Sequence, residues 1–347
     1  LCRPICDANL DVTVTPARLR SSFIYLANAV NDLSGEWAVL GLTLAPLILI
    51  ASLCLLPDAL NLQHRVANSF ESGDAHSVNV MLNRIALREV QTPRETNQTP
   101  PVDPYPEWLT FSLHALFPLV VLMVMLVVLC VLYRRITQPR APTPLAEAIE
   151  VYRLTLRTAP AFLWVSFLQF MVLAAVCAIF LIPLMLLHII FFGSLAIDPY
   201  VKAPLLIPGL LVVIVLHFSK AALVFDGIHS WSALLHSREL QRGRFLKVAM
   251  RIVVFFAMLS GYNSWATGAF LVVSVLLGPV VAVTGSVWSI VFVLDLLSVG
   301  VAYFTIAFFV AASVRLYQDL TAMRKAQSIT TNQPLPATMP LPDAAAS

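Results

Sequence analysis

Apolar residues in this chain come in long unbroken runs rather than in alternation. Trp37–Leu56 and Leu109–Tyr133 contain no Asp, Glu, Lys or Arg. The hydrocarbon core of a bilayer is about 30 Å thick and takes roughly 20 helical residues to cross. Backbone polar groups find no water there, so a crossing segment has to be a helix. Four more runs follow: one opening at Ala161 and reaching Pro183, one over Pro204–Val224, one over Val248–Leu277 ended by Gly278-Pro279, and one over Val291–Val314 ended by Arg315. The pattern predicts an all-α polytopic membrane bundle of about six spans. Pro57-Asp58 is the expected stop of the first span. Trp108 opens the second and Tyr133-Arg134-Arg135 closes it, as aromatic and basic residues do at an interface.

Between the runs the pattern turns amphipathic. Phe23, Leu26, Ala27, Val30 and Leu33 recur at helical spacing within 17–33 and predict a helix on the membrane surface or a cap on the bundle. Leu145, Ile149, Tyr152 and Leu156 do the same over Leu145–Thr158, with Glu147, Glu150, Arg153 and Arg157 mostly off that face. The segment Asp226–Lys247 is amphipathic again. Residues 57–108 read as a polar outer loop with a short helix over Ser77–Val90, followed by a proline-rich extended stretch. The tail from Ala326 is proline-rich and polar and reads as disordered. The expected division is 1–144 with two spans, 145–325 with four, and the tail 326–347.

Composition agrees with the runs. Hydrophobic residues make up 59% of the 347 residues and charged residues 12%, against about 25% charged in an ordinary soluble domain. Little chain is left for a soluble enzyme domain. The net charge of +3 gives no reason to expect nucleic acid. Where the charges sit says more. Arg134, Arg135, Arg140, Arg153 and Arg157 share one inter-span segment. Arg238, Arg242, Arg244, Lys247 and Arg251 share another, and Arg315, Arg324 and Lys325 follow the last span. The positive-inside rule makes these three regions cytoplasmic, with both termini inside and 57–108 outside.

A faint internal repeat accompanies this arrangement. Ala148-Ile149, Arg153 and Arg157 match Ala233-Leu234, Arg238 and Arg242 at the same spacing. Parallel repeats of this kind occur in transporters and in plain scaffolds. The run Ser237-Arg238-Glu239-Leu240-Gln241-Arg242-Gly243-Arg244-Phe245 resembles an "RSWxLxxGRF" stretch, here without the Trp. Leu316-Tyr317-Gln318-Asp319-Leu320 resembles a closing "LYxDLR" stretch, with Thr321 in place of the Arg. Over about 145–325 the chain is therefore similar to the membrane domain of bacterial glycerophosphodiester phosphodiesterases and related six-helix inner-membrane proteins. The resemblance implies a location in the bacterial inner membrane. Phosphodiesterase chemistry in that family belongs to a separate soluble barrel, so the resemblance implies the membrane part and not the activity.

Candidate chemistry is sparse. The chain has no GxSxG, HExxH, P-loop or CxxC pattern. Arg238, Arg242, Arg244 and Lys247, with Arg153 and Arg157, are placed to meet anionic headgroups, which attract each such charge by about 1 kcal/mol near the surface. Ionisable groups in lipid are costly, which singles out Asp295, Lys220 and Asp226. Asp295 is read as an interfacial or hydrogen-bonded group or as a proton site; Lys220 and Asp226 are read as snorkelling to the interface. His114, His188 and His217 lie in or beside spans and could ligate haem or a pigment, or pack with hydrogen bonds. Arg315 and Asp319, four apart, could pair on one helix. No metal or cofactor is expected. Together these features predict a non-catalytic integral membrane protein, a scaffold or accessory subunit whose partners are membrane lipids and other membrane subunits. A small-molecule or lipid transporter and a haem- or pigment-binding subunit are the alternatives.

Overall fold

The structure, a computed structural model, describes residues 19–71, 106–192, 199–284 and 287–332. Every regular element among them is a helix. In chain order these are α1 (Ser22–Ser34), α2 (Trp37–Glu71), α3 (Glu107–Thr137), α4 (Pro144–Phe192), α5 (Pro199–Val215), α6 (Ser219–Asp226), α7 (Ser230–Gln241), α8 (Phe245–Thr284) and α9 (Val287–Asn332). Six stretches are long and apolar enough to cross a membrane: Trp37–Pro57, Phe111–Thr137, Pro144–Phe180, Ile207–Asp226, Phe245–Ala266 and Phe292–Gln327. The fold is an all-α polytopic bundle. The expected helix over Ser77–Val90, the proline-rich stretch after it and the tail beyond Asn332 lie outside the described residues.

Several helices run past their expected ends. α2 passes through Pro46 and Pro57 and continues to Glu71. Proline removes one backbone donor, and inside membranes neighbouring groups re-satisfy the freed carbonyl. The residues after Pro57 include Ala59, Leu60, Leu62, Gln63 and Ala67, good helix formers, so nothing stops the helix there. α4 joins the expected surface helix to the third span without a break and continues through Pro183 to Phe192. α8 likewise runs through Gly278-Pro279 to Thr284. α9 extends beyond Arg315 and past Ala326, so the expected tail begins as helix.

The fourth span is interrupted instead. α5 ends at Val215, a turn occupies 216–218, and α6 begins at Ser219. α7 then folds back on α6 and touches α5. Gly227, in the left-handed region at φ 67°, caps α6 and reverses the chain.

The helices also bury other faces than periodicity predicts. In α1 the buried residues are Tyr25, Ala29, Asp32 and Leu33. Phe23 is 69% exposed and Val30 47% exposed, so of the expected apolar face only Leu33 turns inward fully. In α4, Ala148, Val151, Thr155 and Phe162 are buried while Leu145, Ile149 and Leu156 are outside. The reason is the solvent. In a bilayer the apolar face can remain on the outside, and small or polar residues are the ones that let helices approach. Phe167, Phe170, Ile179 and Ile182, exposed along α4, follow the same rule.

The described residues group into two compact units. One comprises Ala29–Leu163 and Ile252–Ala311, where α2 lies along α3. Trp37 packs on Phe304 and Phe308 at centroid distances of 5.3 and 6.0 Å. The other comprises Leu1–Asn28, Trp164–Arg251 and Ala312–Ser347. It contains α6, α7 and the end of α9.

Candidate functional site

The break in the fourth span frees backbone carbonyls in apolar surroundings, where each needs a donor. Neighbouring side chains provide them. Gln241 Nε2 donates to the carbonyls of Ile214 and Val215 at 2.9 and 3.0 Å. Ser237 Oγ donates to Val215 O at 2.7 Å and accepts from the Phe218 N–H at 3.1 Å. Gln169 Nε2 reaches Leu216 O at 2.8 Å. Ser237 and Gln241, four apart on the inner face of α7, thereby fasten α7 to the turn. In the broken span itself, His217 Nε2 meets Ser313 Oγ of α9 at 2.9 Å, and its ring stands edge-on to Phe218.

Beside this turn, α9 makes two ties through one short sequence. The Tyr317 hydroxyl donates to the Asp226 carboxylate at the end of α6. Two residues further along α9, Asp319 accepts from the Tyr25 hydroxyl of α1 at 2.7 Å and lies 3.6 Å from Arg20. Burial first, and then the bonded carboxylate, push the Tyr25 phenol far above its usual range. Arg251 closes the arrangement by donating to the carbonyls of Arg20 and Leu19 at 2.9 and 3.1 Å. His236 Nε2 lies 3.8 Å from the Asp226 carboxylate. Burial holds its imidazole below the usual range, with Asp226 opposing. Glu239 and Arg324 pair at 2.8 Å on the exposed side.

The other unit has its own ties where α2, α3 and α4 begin and end. Arg134 grips Glu147 with two nitrogens, at 2.6 and 3.2 Å, and donates to Gln138 at 2.7 Å. Glu147 also accepts the Ala141 N–H at 2.9 Å. Arg140 meets the buried Glu36 at 2.6 Å and Arg135 meets Asp32 at 3.4 Å. The Tyr152 hydroxyl donates to Thr43 O at 2.6 Å. A two-nitrogen guanidinium–carboxylate contact fixes direction as well as distance, so the α3–α4 corner is held rigidly.

The residues singled out by sequence fall into three groups. Arg153, Arg157, Arg238, Arg242 and Lys247 are exposed and Arg244 is half-buried. None of these six side chains makes a hydrogen bond or a close ion pair among the described residues. Lys220, half-buried in α6, and Asp226 belong to one unit, while Asp295, half-buried in α9, belongs to the other. His217 is bonded as above; the side chains of His114 and His188 lie outside the described residues. No cluster of three His, Cys, Asp or Glu side chains suited to a metal is present among the described residues.

Sequence reasoning missed the polar ties, apart from noting Tyr317 and Asp319 inside a motif. Tyr25, Asp32, Glu36, Glu147 and His236 gave no local signal of their partners. These features define an integral membrane protein of the all-α polytopic class. No protein-family model, curated protein or solved structure matches the chain.

Proposed function

We propose that this chain is a non-catalytic integral membrane protein, a scaffold or accessory subunit of a membrane complex in the bacterial inner membrane, with both termini cytoplasmic. The observation that carries the reading is how its acidic groups are used. Asp32, Glu147, Asp226, Glu239 and Asp319 each bond a cation or a tyrosine of another helix, and Glu36 bonds Arg140 of the α3–α4 connection. A catalytic or proton-carrying carboxylate has to be open to its substrate, and these are spent on holding helices together. The placement of Arg153, Arg157, Arg238, Arg242, Arg244 and Lys247 supports the orientation through the positive-inside rule. The resemblance of the Ser237–Phe245 and Leu316–Leu320 stretches to a phosphodiesterase-associated membrane domain supports an accessory role.

A transporter is the second reading, favoured by the interrupted fourth span, since broken helices form the sites of many transporters. Here Gln169, Ser237 and Gln241 occupy the freed carbonyls, which leaves those groups fewer positions for a solute. Isolation in gentle detergent after mild cross-linking, with liposome uptake measured in parallel, separates the two. The scaffold reading expects a stoichiometric protein partner and no uptake. Proton-coupled uptake by the native chain that disappears in Asp295→Asn overturns it.

A further inference from the structure

Between α7 and α8 the chain turns a sharp corner. Arg242 is extended at ψ 129° and Gly243 is left-handed at φ 77°, with open space around the position a Cβ would take. Arg238, in the last turn of α7, and Arg242, Arg244 and Lys247 are thereby gathered along a few residues of outward-facing chain. None of the four has a carboxylate within ion-pair distance among the described residues; the acid whose charge Arg242 feels, Glu239, is already paired with Arg324. The four are unlike Arg134, Arg135, Arg140 and Arg324, each of which is held by a carboxylate. On the first turns of α8, directly beyond the cations, Leu246 is 74% exposed and Met250 57% exposed. They open the span Phe245–Ala266.

A concentrated positive charge bordering directly on an outward apolar track is complementary to an amphiphile with an anionic head. A soluble anion would use the charges and leave the track unexplained. An acidic protein would have to bury Leu246 and Met250 where the span begins. We propose that the α7–α8 corner seats an anionic phospholipid, its phosphate on Arg242, Arg244 and Lys247 with Arg238 alongside, and an acyl chain along Leu246 and Met250. The inference rests on the reading of the basic helix ends as the headgroup layer, and it names the molecule met there. Guanidinium groups suit phosphate because their planar donors can contact two oxygens at once. Charges near an anionic surface also act together, each worth about a fivefold change in binding.

The test uses the full chain in native mass spectrometry, with phosphatidylglycerol and phosphatidylcholine of identical acyl chains offered in competition. Retention of phosphatidylglycerol over phosphatidylcholine is expected. The triple variant R242Q/R244Q/K247Q should lower that retention by about a hundredfold, while R65Q, on α2, should leave it near the native level. Circular dichroism and gel filtration check the fold. If the triple variant does not fold, Leu246→Gln with Met250→Gln replaces it, and weakened retention with all four charges intact is then the expected result. Equal retention of the two lipids overturns the proposal, as does a folded triple variant, or its folded replacement, that holds phosphatidylglycerol like the native chain. Displacement of the lipid by millimolar inorganic phosphate at constant ionic strength also overturns it, in favour of a soluble anion. Co-purifying proteins are not read in this experiment, so its failure is distinct from failure of the scaffold reading.

Discussion

Tyr317 and Asp319 sit two residues apart on α9, and each reaches a different helix: Tyr317 finds Asp226 of α6, and Asp319 finds Tyr25 of α1. Hydrogen bonds to ionised groups contribute about 1.5–3 kcal/mol when well shielded. Asp226 retains 35% of its side-chain exposure, which lowers the figure. Tyr317→Phe should therefore destabilise the protein by about 1–2 kcal/mol. In a cycle with Asp226→Asn, measured by reversible unfolding in detergent, most of that loss should vanish in the double variant. Additive losses would show that the tie carries little energy. This layer of the molecule was nearly illegible in the sequence. Spacing locates charges and tyrosines, but their partners are 91 residues away for Tyr317, 104 for Arg140 and 294 for Tyr25. Only residues three or four apart announce a contact in advance.

At the scale of elements, the apolar runs carried most of the information. Lipid demands helices of a minimum length, and that demand writes itself into composition. The boundaries were less legible because proline and glycine were read by the rules of water. Pro57, Pro183 and Gly278-Pro279 all lie inside helices. The stop that does occur, at 216–218, contains neither proline nor glycine and is made possible by Gln169, Ser237 and Gln241 from other helices. Two glycines show how position decides the sign of a change. Both have open space at the Cβ position. Gly227 is left-handed at φ 67°, so Gly227→Ala should destabilise by about 1–2 kcal/mol. Gly261 lies in the interior of α8 with helical geometry, so Gly261→Ala should stabilise by about 0.5–1 kcal/mol. Thermal unfolding of the two variants side by side checks both; shifts of the same sign would refute the backbone argument.

For the whole molecule, orientation rests on where Lys and Arg lie relative to the spans. Arg134, Arg135 and Arg140 were counted toward it in the sequence, and the structure shows them engaged with acids. Arg153, Arg157, Arg238, Arg242, Arg244 and Lys247 remain, and they favour the same direction. A cysteine introduced at position 98 should react with an impermeant thiol reagent in intact cells, and one introduced at position 238, exposed on α7, should not. The reverse pattern would invert the topology.

The bond between Tyr25 and Asp319 also sets a clock. Ribosomes add about 5–20 residues per second, so the 294 residues between the two take roughly 15–60 s to appear. One compact unit is drawn from Ala29–Leu163 and Ile252–Ala311 and holds all its segments once Ala311 has been made; the other needs Ala312–Ser347 as well as the first residues of the chain. Throughout synthesis the first helix waits without its acceptor. A chain released early, anywhere before Asp319, lacks this acceptor and leaves its first helix to the earlier ties, such as Arg135 on Asp32.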